Sequence, residues 1–268
     1  MNFLVLKLGG SIAEQLPDSF YTDLVKLQAN FSIYPIIVHG GGPEINEALE
    51  KNQIPVSFNQ GLRVSSKEVV RTAETVLSGK VNKAIVKKII GAGGNAFGFS
   101  GVDGKCFTAE LSPESEEIGY VGNIADVNSG LIKLIAQSGS IPVISPISLD
   151  KQGTTLNVNA DEAAGACAAA LHADIIFVSD IPGVMNTKSR ESYIYETLTE
   201  KDIDSLIASD IITGGMIPKV KSAAASLGDT GNEAVILNGY EENILISYAS
   251  KEFSGTRIMK EEVLNVHP

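Results

Sequence analysis

Cysteine and positive charge are scarce in this chain, and each shortage excludes a class of protein. The 268 residues include only two cysteines, Cys106 and Cys167, and neither has a second cysteine or a histidine at metal-ligand spacing. This excludes a disulfide framework and favours a reducing cytosol. The 21 basic residues face 32 acidic ones, a formal net charge of −11, which argues against nucleic acid or an anionic membrane as the main partner.

Long apolar stretches and linkers are also missing. The most apolar stretch, 163–178, is interrupted by His172 and Asp174 and is too short to cross a bilayer. The N-terminus has neither a basic region nor a cleavable apolar segment, so we expect no signal peptide. Because no Pro/Ser/Gly-rich linker or repeat divides the chain, we predict two lobes, 1–172 and 173–268, that share one continuous sheet.

Short β-branched runs alternate with longer helical patterns, which predicts a doubly wound α/β fold. We expect strands at 3–6, 35–38, 96–99, 142–144, 175–178 and 234–237. We expect helices at 17–30, 43–51, 66–90, 128–137, 161–171, 200–209 and 217–227. Glycines and turn signals in 54–64 and 97–121 predict hairpins over an edge of the sheet. Ligands of such sheets bind at the carboxyl ends of the strands.

The first strand ends in a lysine followed by two glycines, in the order Lys7-Leu8-Gly9-Gly10. A charge within a run of strand formers is costly unless it has a partner, and two glycines let the backbone approach a ligand closely. A cation beside exposed backbone N–H groups suits a phosphate. The same pattern also fits a surface lysine whose stem covers the strand.

The second strand leads into three glycines, Gly40-Gly41-Gly42, and then into a helix. These glycines expose several N–H groups at a helix start and favour an anion site, since a tight turn alone rarely needs three of them. His39 comes just before them and has no partner histidine nearby in sequence. We therefore interpret His39 as a hydrogen-bonding residue at a strand end and not as a metal ligand.

Polar side chains in two later segments suit a carboxylate substrate. Arg63 follows a glycine on the first expected hairpin, where a guanidinium can bind a carboxylate with two hydrogen bonds or can simply be solvated. Asn157 and Asn159 point the same way in an extended segment, and Asp161 opens an alanine-rich helix. Helix capping explains Asp161 alone, but the three together could bind substrate and orient cations.

Two segments in the second half of the chain favour a nucleotide. An apolar strand runs into the polar loop that begins at Asp180, where a parallel sheet commonly binds a nucleotide, although a plain connecting loop also fits. Lys219 lies on a helix led by Gly214 and Gly215. It is either a second cation of the same site or a surface lysine.

Together and in this order, the motifs resemble the amino acid kinase family over nearly the whole chain. The resemblance is strongest to members that phosphorylate N-acetyl-L-glutamate, through His-Gly-Gly-Gly at 39–42, Gly-Leu-Arg-Val at 61–64 and Asn-Val-Asn-Ala-Asp at 157–161. It implies a three-layer αβα sandwich with a mainly parallel sheet, the carbamate kinase-like fold. It also implies that 1–172 binds N-acetyl-L-glutamate and mediates dimerisation, while 173–268 binds ATP.

The resemblance further implies a reaction and residue roles. ATP phosphorylates the side-chain carboxylate of N-acetyl-L-glutamate in arginine biosynthesis, with Mg²⁺ held mainly by the nucleotide phosphates. The implied catalytic residues are Lys7, Lys219 and Asp161. The implied acceptor-binding residues are Gly41, Gly42, Arg63, Asn157 and Asn159. The implied nucleotide-binding residues are Gly9, Gly10, Asp180, Ile181, Pro182, Gly183, Val184, Met185, Ile211, Ile212 and Thr213.

The chemistry agrees with this resemblance, because an ionised carboxylate acceptor needs no general base and no convincing histidine base is present. The chain begins almost directly at the first strand, without the extra N-terminal helix of arginine-inhibited hexameric relatives. We therefore expect an arginine-insensitive homodimer.

Three alternative functions predict different features of the sequence. A same-fold kinase could act on another carboxylate, such as an aminoadipate-type acceptor. A non-catalytic amino-acid sensor would be expected to lack Lys7, Asp161 or Lys219, and all three are present. A dehydrogenase would need Gly-x-Gly-x-x-Gly spacing, which the run at 40–42 does not have.

Overall fold

Strands and helices alternate along the chain, as the sequence pattern predicts. A computed structural model describes residues 2–187, 192–227 and 232–261. The strands are β1 Asn2–Leu8, β2 Ile33–His39, β3 Phe58–Asn59, β4 Leu62–Arg63, β5 Ala96–Ser100, β6 Phe107–Leu111, β7 Val121–Val127, β8 Ile141–Ser145, β9 Ile147–Leu149, β10 Thr155–Val158, β11 Asp174–Ser179, β12 Met185–Asn186, β13 Tyr193–Ile194, β14 Thr197–Leu198, β15 Ala234–Asn238 and β16 Thr256–Ile258. The α-helices are α1 Gly10–Gln15, α2 Asp18–Phe31, α3 Gly42–Lys51, α4 Lys67–Glu74, α5 Asn82–Gly91, α6 Ser115–Ile118, α7 Ser129–Gln137, α8 Ala160–Leu171, α9 Glu200–Ala208, α10 Met216–Ala225 and α11 Ile244–Ala249. A π-helical turn, Thr75–Val81, joins α4 to α5, and a 3₁₀ turn spans Asp103–Lys105.

Eight strands form one sheet in the order β14-β16-β15-β11-β1-β2-β8-β5. All neighbours are parallel except β15 and β16. The sheet includes every one of the six expected strands. On β1, Lys7 pairs with Val38 on one side and with Phe177 on the other, so the loops that follow β1, β2 and β11 are neighbours at one sheet edge.

Apolar cores on both faces of this sheet create three layers. On β1, Phe3 and Val5 belong to one core, whereas Leu4 and Leu6 belong to the other. The first core packs under α7, α8, α9 and α10, and the second packs under α2, α3, α5 and α11. Because both faces are covered, the central strands are continuously apolar instead of alternating with polar residues. The expected αβα sandwich is confirmed.

The helix expected at 66–90 is interrupted by the π-helical turn. This wider turn places Leu77 and Val81 directly beneath a glycine of the second glycine run. A Cβ atom on Gly41 would lie 2.6 Å from Leu77 Cδ2 and 3.1 Å from Val81 Cγ2. Close packing therefore favours glycine at position 41.

The two segments that are expected to form hairpins differ in structure. β3 and β4 form the first hairpin, as predicted. In the second segment, β5 is an edge strand of the main sheet, and β6 pairs with β7 within a small closed barrel that also contains β9 and β10. The pairing of β7 with β10 joins positions far apart in sequence, which local turn signals do not reveal. No helix in the described ranges is both long and apolar enough to cross a membrane.

Candidate active site

The three proposed catalytic side chains meet where β1 and β11 end. Lys7 is the penultimate residue of β1, and its Nζ lies 2.7 Å from Oδ1 of Asp161 in the first turn of α8. The two side chains keep 20% and 23% of their surface exposed, so the pair remains open to a ligand. Asn159 caps α8, its Oδ1 accepting a hydrogen bond of 2.8 Å from the Asp161 N–H. The ion pair explains how the strand tolerates a charged lysine.

Lys219 reaches the same point from α10. Its Nζ donates a 2.6 Å hydrogen bond to the Ser179 hydroxyl at the end of β11. Burial lowers the pKa of Lys219, the neighbouring charge of Lys7 lowers it further, and Asp180 and Asp161 oppose the shift. Lys219 therefore lies close enough to Lys7, Asp161 and Asp180 for their charges to act on it.

The two glycine runs lie against each other beside this cluster. Gly9 and Gly10 begin α1, while 40–42 leads into α3. A Cβ atom on Gly10 would overlap the Cα of Gly41 and the carboxylate of Glu44. Glu44 is buried, and burial raises the pKa of its carboxyl group. Only glycine permits this approach, which brings the backbone of both turns to one place.

Arg63 is buried, and part of its guanidinium lacks a protein partner. Nη2 donates a 3.2 Å hydrogen bond to Gly42 O, and the guanidinium carbon lies 4.8 Å from the centre of the Phe58 ring. Nη1 is buried without a hydrogen-bond partner among the described residues. Burial lowers the pKa of Arg63, but an arginine stays protonated in proteins. A carboxylate is the group that would satisfy Nη1.

Ser65 connects Arg63 to the asparagine segment. Its hydroxyl donates to Arg63 O at 2.8 Å and accepts a 3.2 Å hydrogen bond from Asn157 Nδ2. A cavity of about 180 Å³ is lined on its polar side by 40–42, Arg63, Asn157 and Asn159. Its apolar wall consists of Ile45, Phe58, Leu62, Leu77, Val121, Pro146, Val158 and Ala160. All five expected acceptor-binding residues therefore line one cavity.

The residues that are expected to bind the nucleotide differ in how far their side chains are exposed. Asp180 is exposed beside Ser179, and Ile181, Pro182, Met185 and Ile211 are half-buried. Thr213 is exposed, and Gly183 has a φ of 151° with its backbone close to Thr256. Val184 and Ile212 are buried in the same core, so only their backbone can face a ligand. Val184 is fixed further by its N–H, which donates to Thr256 Oγ1 at 2.8 Å.

His39 is a hydrogen-bonding residue at the end of β2, as interpreted from the sequence. Its Nδ1 lies 3.1 Å from Gly40 O, and its Nε2 lies 3.1 Å from Asn82 Nδ2. Burial lowers the pKa of His39 to about 4, so its ring is neutral near pH 7. Among the described residues, no group of three or more His, Cys, Asp or Glu side chains is placed to hold a metal.

Three contributors to the site were missed from the sequence. They are Phe58, Ser65 and Ser179, which contact Arg63, Asn157 and Lys219 respectively. Ser179 had a weak signal, since it directly precedes Asp180 at a strand end. Phe58 and Ser65 flank Arg63 on the same hairpin, but their importance depends on contacts that only folding creates.

Comparisons with known proteins agree with this geometry. The model of the amino acid kinase family matches residues 2–238. The acetylglutamate kinase of Oceanobacillus iheyensis is 46% identical over 99% of this chain and 100% of its own length. The acetylglutamate kinase of Bacillus subtilis strain 168 is 43% identical over 96% of each chain.

Solved structures share the fold. The crystal structure of smu.665 from Streptococcus mutans UA159 superposes with a TM-score of 0.80 at 29% identity, covering 96% of this chain and 98% of that one. Carbamate kinase from Giardia lamblia bound to AMP-PNP has a TM-score of 0.70 at 15% identity, covering 97% and 99%. Because the identity is only 15%, the match to the carbamate kinase shows a shared fold and nothing more.

Proposed function

The chain belongs to the amino acid kinase family, and on that premise we propose that it is an acetylglutamate kinase. In this reaction the γ-phosphoryl group of ATP is transferred to the side-chain carboxylate of N-acetyl-L-glutamate, a step of arginine biosynthesis. It is a phosphotransferase with a carboxyl group as acceptor. The observation that carries the proposal is the meeting of Lys7, Asp161 and Lys219 beside two glycine turns.

Phosphoryl transfer needs alignment and charge neutralisation more than it needs proton transfer. Lys7 and Lys219 approach the transferring group as two cations, and Asp161 orients Lys7. Gly9, Gly10, Gly41 and Gly42 offer backbone N–H groups to the phosphates and the acceptor. The neutral, buried His39 is not a general base, and an ionised acceptor requires none.

Mg²⁺ fits this site as a companion of ATP. The cations and glycine turns suit nucleotide phosphates, and a metal held by those phosphates and water needs no protein ligand cluster. When bound, the ion neutralises phosphate charge during transfer. Asp180 and the segments at 181–185 and 211–213 are the residues that we propose for ATP.

N-acetyl-L-glutamate fits the cavity at Arg63 in charge and in polarity. The free Nη1 is suited to the α-carboxylate, with Asn157 and Asn159 offering amide hydrogen bonds nearby. The apolar wall suits the acetyl group and the methylene carbons. We propose that 1–172 is the acceptor-binding lobe and 173–268 the ATP-binding lobe.

A homodimer is supported by the edge of the sheet at β5, whose outer side pairs with no described strand. β5 is a terminal strand, and Phe97 on β5 and Ile90 on α5 are 54% and 55% exposed. An apolar unpaired edge is a common site of association. We expect a dimer in light scattering and a monomer for Phe97→Asp. Leu134→Asp, at another exposed apolar position, is the control and should stay dimeric; a monomeric native chain would contradict the proposal.

A cytoplasmic location is supported by the cysteines. Cys106 and Cys167 are both free and buried, and a chain that keeps its two cysteines unpaired suits a reducing compartment. Cell fractionation should recover the protein with the cytoplasmic fraction, and recovery with a secreted fraction would contradict this.

The function is tested by coupled ADP release with ATP, Mg²⁺ and one acceptor at a time. N-acetyl-L-glutamate should be turned over in preference to L-glutamate, L-aspartate and L-2-aminoadipate. Lys7→Ala serves as the control, because it should remove the signal and so exclude a contaminating kinase. Turnover of another acid without turnover of N-acetyl-L-glutamate would refute the assignment.

A further inference from the structure

A lysine outside the catalytic cluster contacts the C-terminal end of the short helix that begins at the first glycine turn. α1 spans Gly10–Gln15, and its first residue belongs to the turn proposed above for phosphate. We propose that Lys88 is a positioning residue for phosphoryl transfer, which acts through α1 on Gly9 and Gly10. This inference rests on the proposed function.

The contacts of Lys88 converge on the C-terminal end of α1. Its Nζ donates hydrogen bonds to Glu14 O at 2.8 Å and Leu16 O at 3.2 Å, with a longer one to Ala13 O at 3.5 Å. The last carbonyls of a helix have no partner within the helix, and a cation there also offsets the negative end of the helix dipole. The Lys88 ammonium thus gives the C-terminal end of α1 both hydrogen-bond donors and a positive charge.

Tyr21 completes this anchor from α2. Its hydroxyl donates a 2.6 Å hydrogen bond to Ala13 O, and its ring lies 5.1 Å from Lys88 Nζ. Tyr21 is fully buried, so the aromatic face offers the cation a fixed support. Two side chains from different helices therefore hold one helix end.

Ala13 of α1 and Ile85 of α5 belong to the same apolar core, but a cavity remains beside them. A cavity of about 260 Å³ lies between the two helices, lined by Ala13, Glu14, Val81, Ala84, Ile85 and Lys88. At this cavity the hydrogen bonds of Lys88 add a polar connection from α5 to the C-terminal end of α1. A helix of six residues is too short to be stable without such support.

A tilt of α1 would be transmitted to the glycine turn. Gly10 is packed so closely on Gly41 that a Cβ atom on Gly10 would overlap its Cα. Displacing the far end of α1 would therefore change the spacing between the two turns that offer N–H groups to phosphate. Such donors stabilise a transferring group only when they are aligned with it in advance.

The test compares Lys88→Met, Lys88→Arg and Lys87→Met. Methionine keeps an apolar stem near Tyr21 and removes the donors. We expect the Kd for Mg²⁺-AMP-PNP, measured by calorimetry, to rise about tenfold and kcat/KM for ATP to fall about as much. KM for N-acetyl-L-glutamate should rise less than the nucleotide Kd, because Gly41 is packed on Gly10 whereas Arg63 and Asn157 lie on other elements.

Arginine keeps the charge and the donors, so Lys88→Arg should restore nucleotide affinity to within about threefold. Lys87 is the matched control, since it is the adjacent lysine and its side chain is exposed; Lys87→Met should bind nucleotide as the native protein does. If Lys88→Met does not fold, Tyr21→Phe removes one donor from the same helix end, and we expect about a threefold weaker Kd.

Unchanged nucleotide affinity in a folded Lys88→Met or Tyr21→Phe variant would overturn the inference. So would an equal rise in the KM for the acceptor, which indicates a general structural defect, or a failure of Lys88→Arg to restore binding. Calorimetry needs no acceptor. A chain that rejects N-acetyl-L-glutamate would therefore refute the proposed function without deciding the role of Lys88.

Discussion

Replacing Arg63 by alanine tests the acceptor site most directly. The residue is only 8% exposed, and Nη2 already bonds to Gly42 O, which leaves Nη1 buried and free for a substrate carboxylate. A hydrogen bond to a charged group contributes roughly 1.5–3 kcal/mol. Because about 1.4 kcal/mol is tenfold, KM for N-acetyl-L-glutamate should rise between about 10-fold and 150-fold.

The effect of this change on kcat should be small. The α-carboxylate does not take part in the transfer, so its contact with Arg63 stabilises substrate and transition state about equally. An Arg63→Lys variant would keep the charge but lose the second donor of the fork, which predicts an intermediate KM.

Steady-state kinetics with varied acceptor at saturating ATP, together with thermal melting, checks this prediction. Arg71→Ala on α4 removes another arginine outside the cavity and should leave KM within about twofold of the native value. A folded Arg63→Ala variant with native KM would refute the assignment of the carboxylate to Arg63. A loss of kcat at constant KM would indicate that Arg63 acts in the transfer itself.

Three further predictions concern the catalytic cluster. Lys7→Ala and Lys219→Ala should each lower kcat by about 10²-fold or more, and an effect on KM alone would contradict a role in the transition state. Because burial lowers the pKa of Lys219 in the free enzyme, its ammonium is lost at a lower pH than that of an ordinary lysine, so kcat/KM for ATP should fall on the alkaline side. A kcat/KM that does not fall as the pH rises would argue against a catalytic Lys219 ammonium. Gly10→Ala should lower the free energy of unfolding, measured in urea, by about 2 kcal/mol, because its Cβ atom would overlap Gly41. Gly9→Ala should change this free energy little, because, apart from its two chain neighbours, no described residue would lie nearer to its Cβ atom than 3.6 Å. Equal losses in the two variants would show that the structure shifts to relieve the overlap at Gly10.

Much of the fold follows from local pattern. The apolar runs at 3–6, 35–38 and 175–178 are too hydrophobic for a half-exposed sheet, and helices separate them, which together indicate parallel strands with both faces covered. The loops after Lys7, His39 and Ser179 therefore had to meet at one edge of the sheet. The π-helical turn at Thr75–Val81 gave no such signal, because its residues are compatible with an ordinary helix.

The candidate site was predictable as a set of residues but not as a set of contacts. Lys7 and Gly40-Gly41-Gly42 attract notice because a charge within a strand and three consecutive glycines are each costly or unusual in their local setting. By contrast, the pairing of Lys7 with Asp161 spans more than half of the chain, and no local rule selects one aspartate among many.

By itself, the sequence determined six strands of the main sheet, most of the longer helices, which faces are buried and where glycine and charge are concentrated, since these depend on neighbours along the chain. Only the tertiary structure decided which distant groups touch. It paired β7 with β10, set Ser179 under Lys219 and aimed Lys88 at the carbonyls of α1. Those contacts depend on how the layers pack against one another, and a few tenths of an ångström separate a hydrogen bond from none.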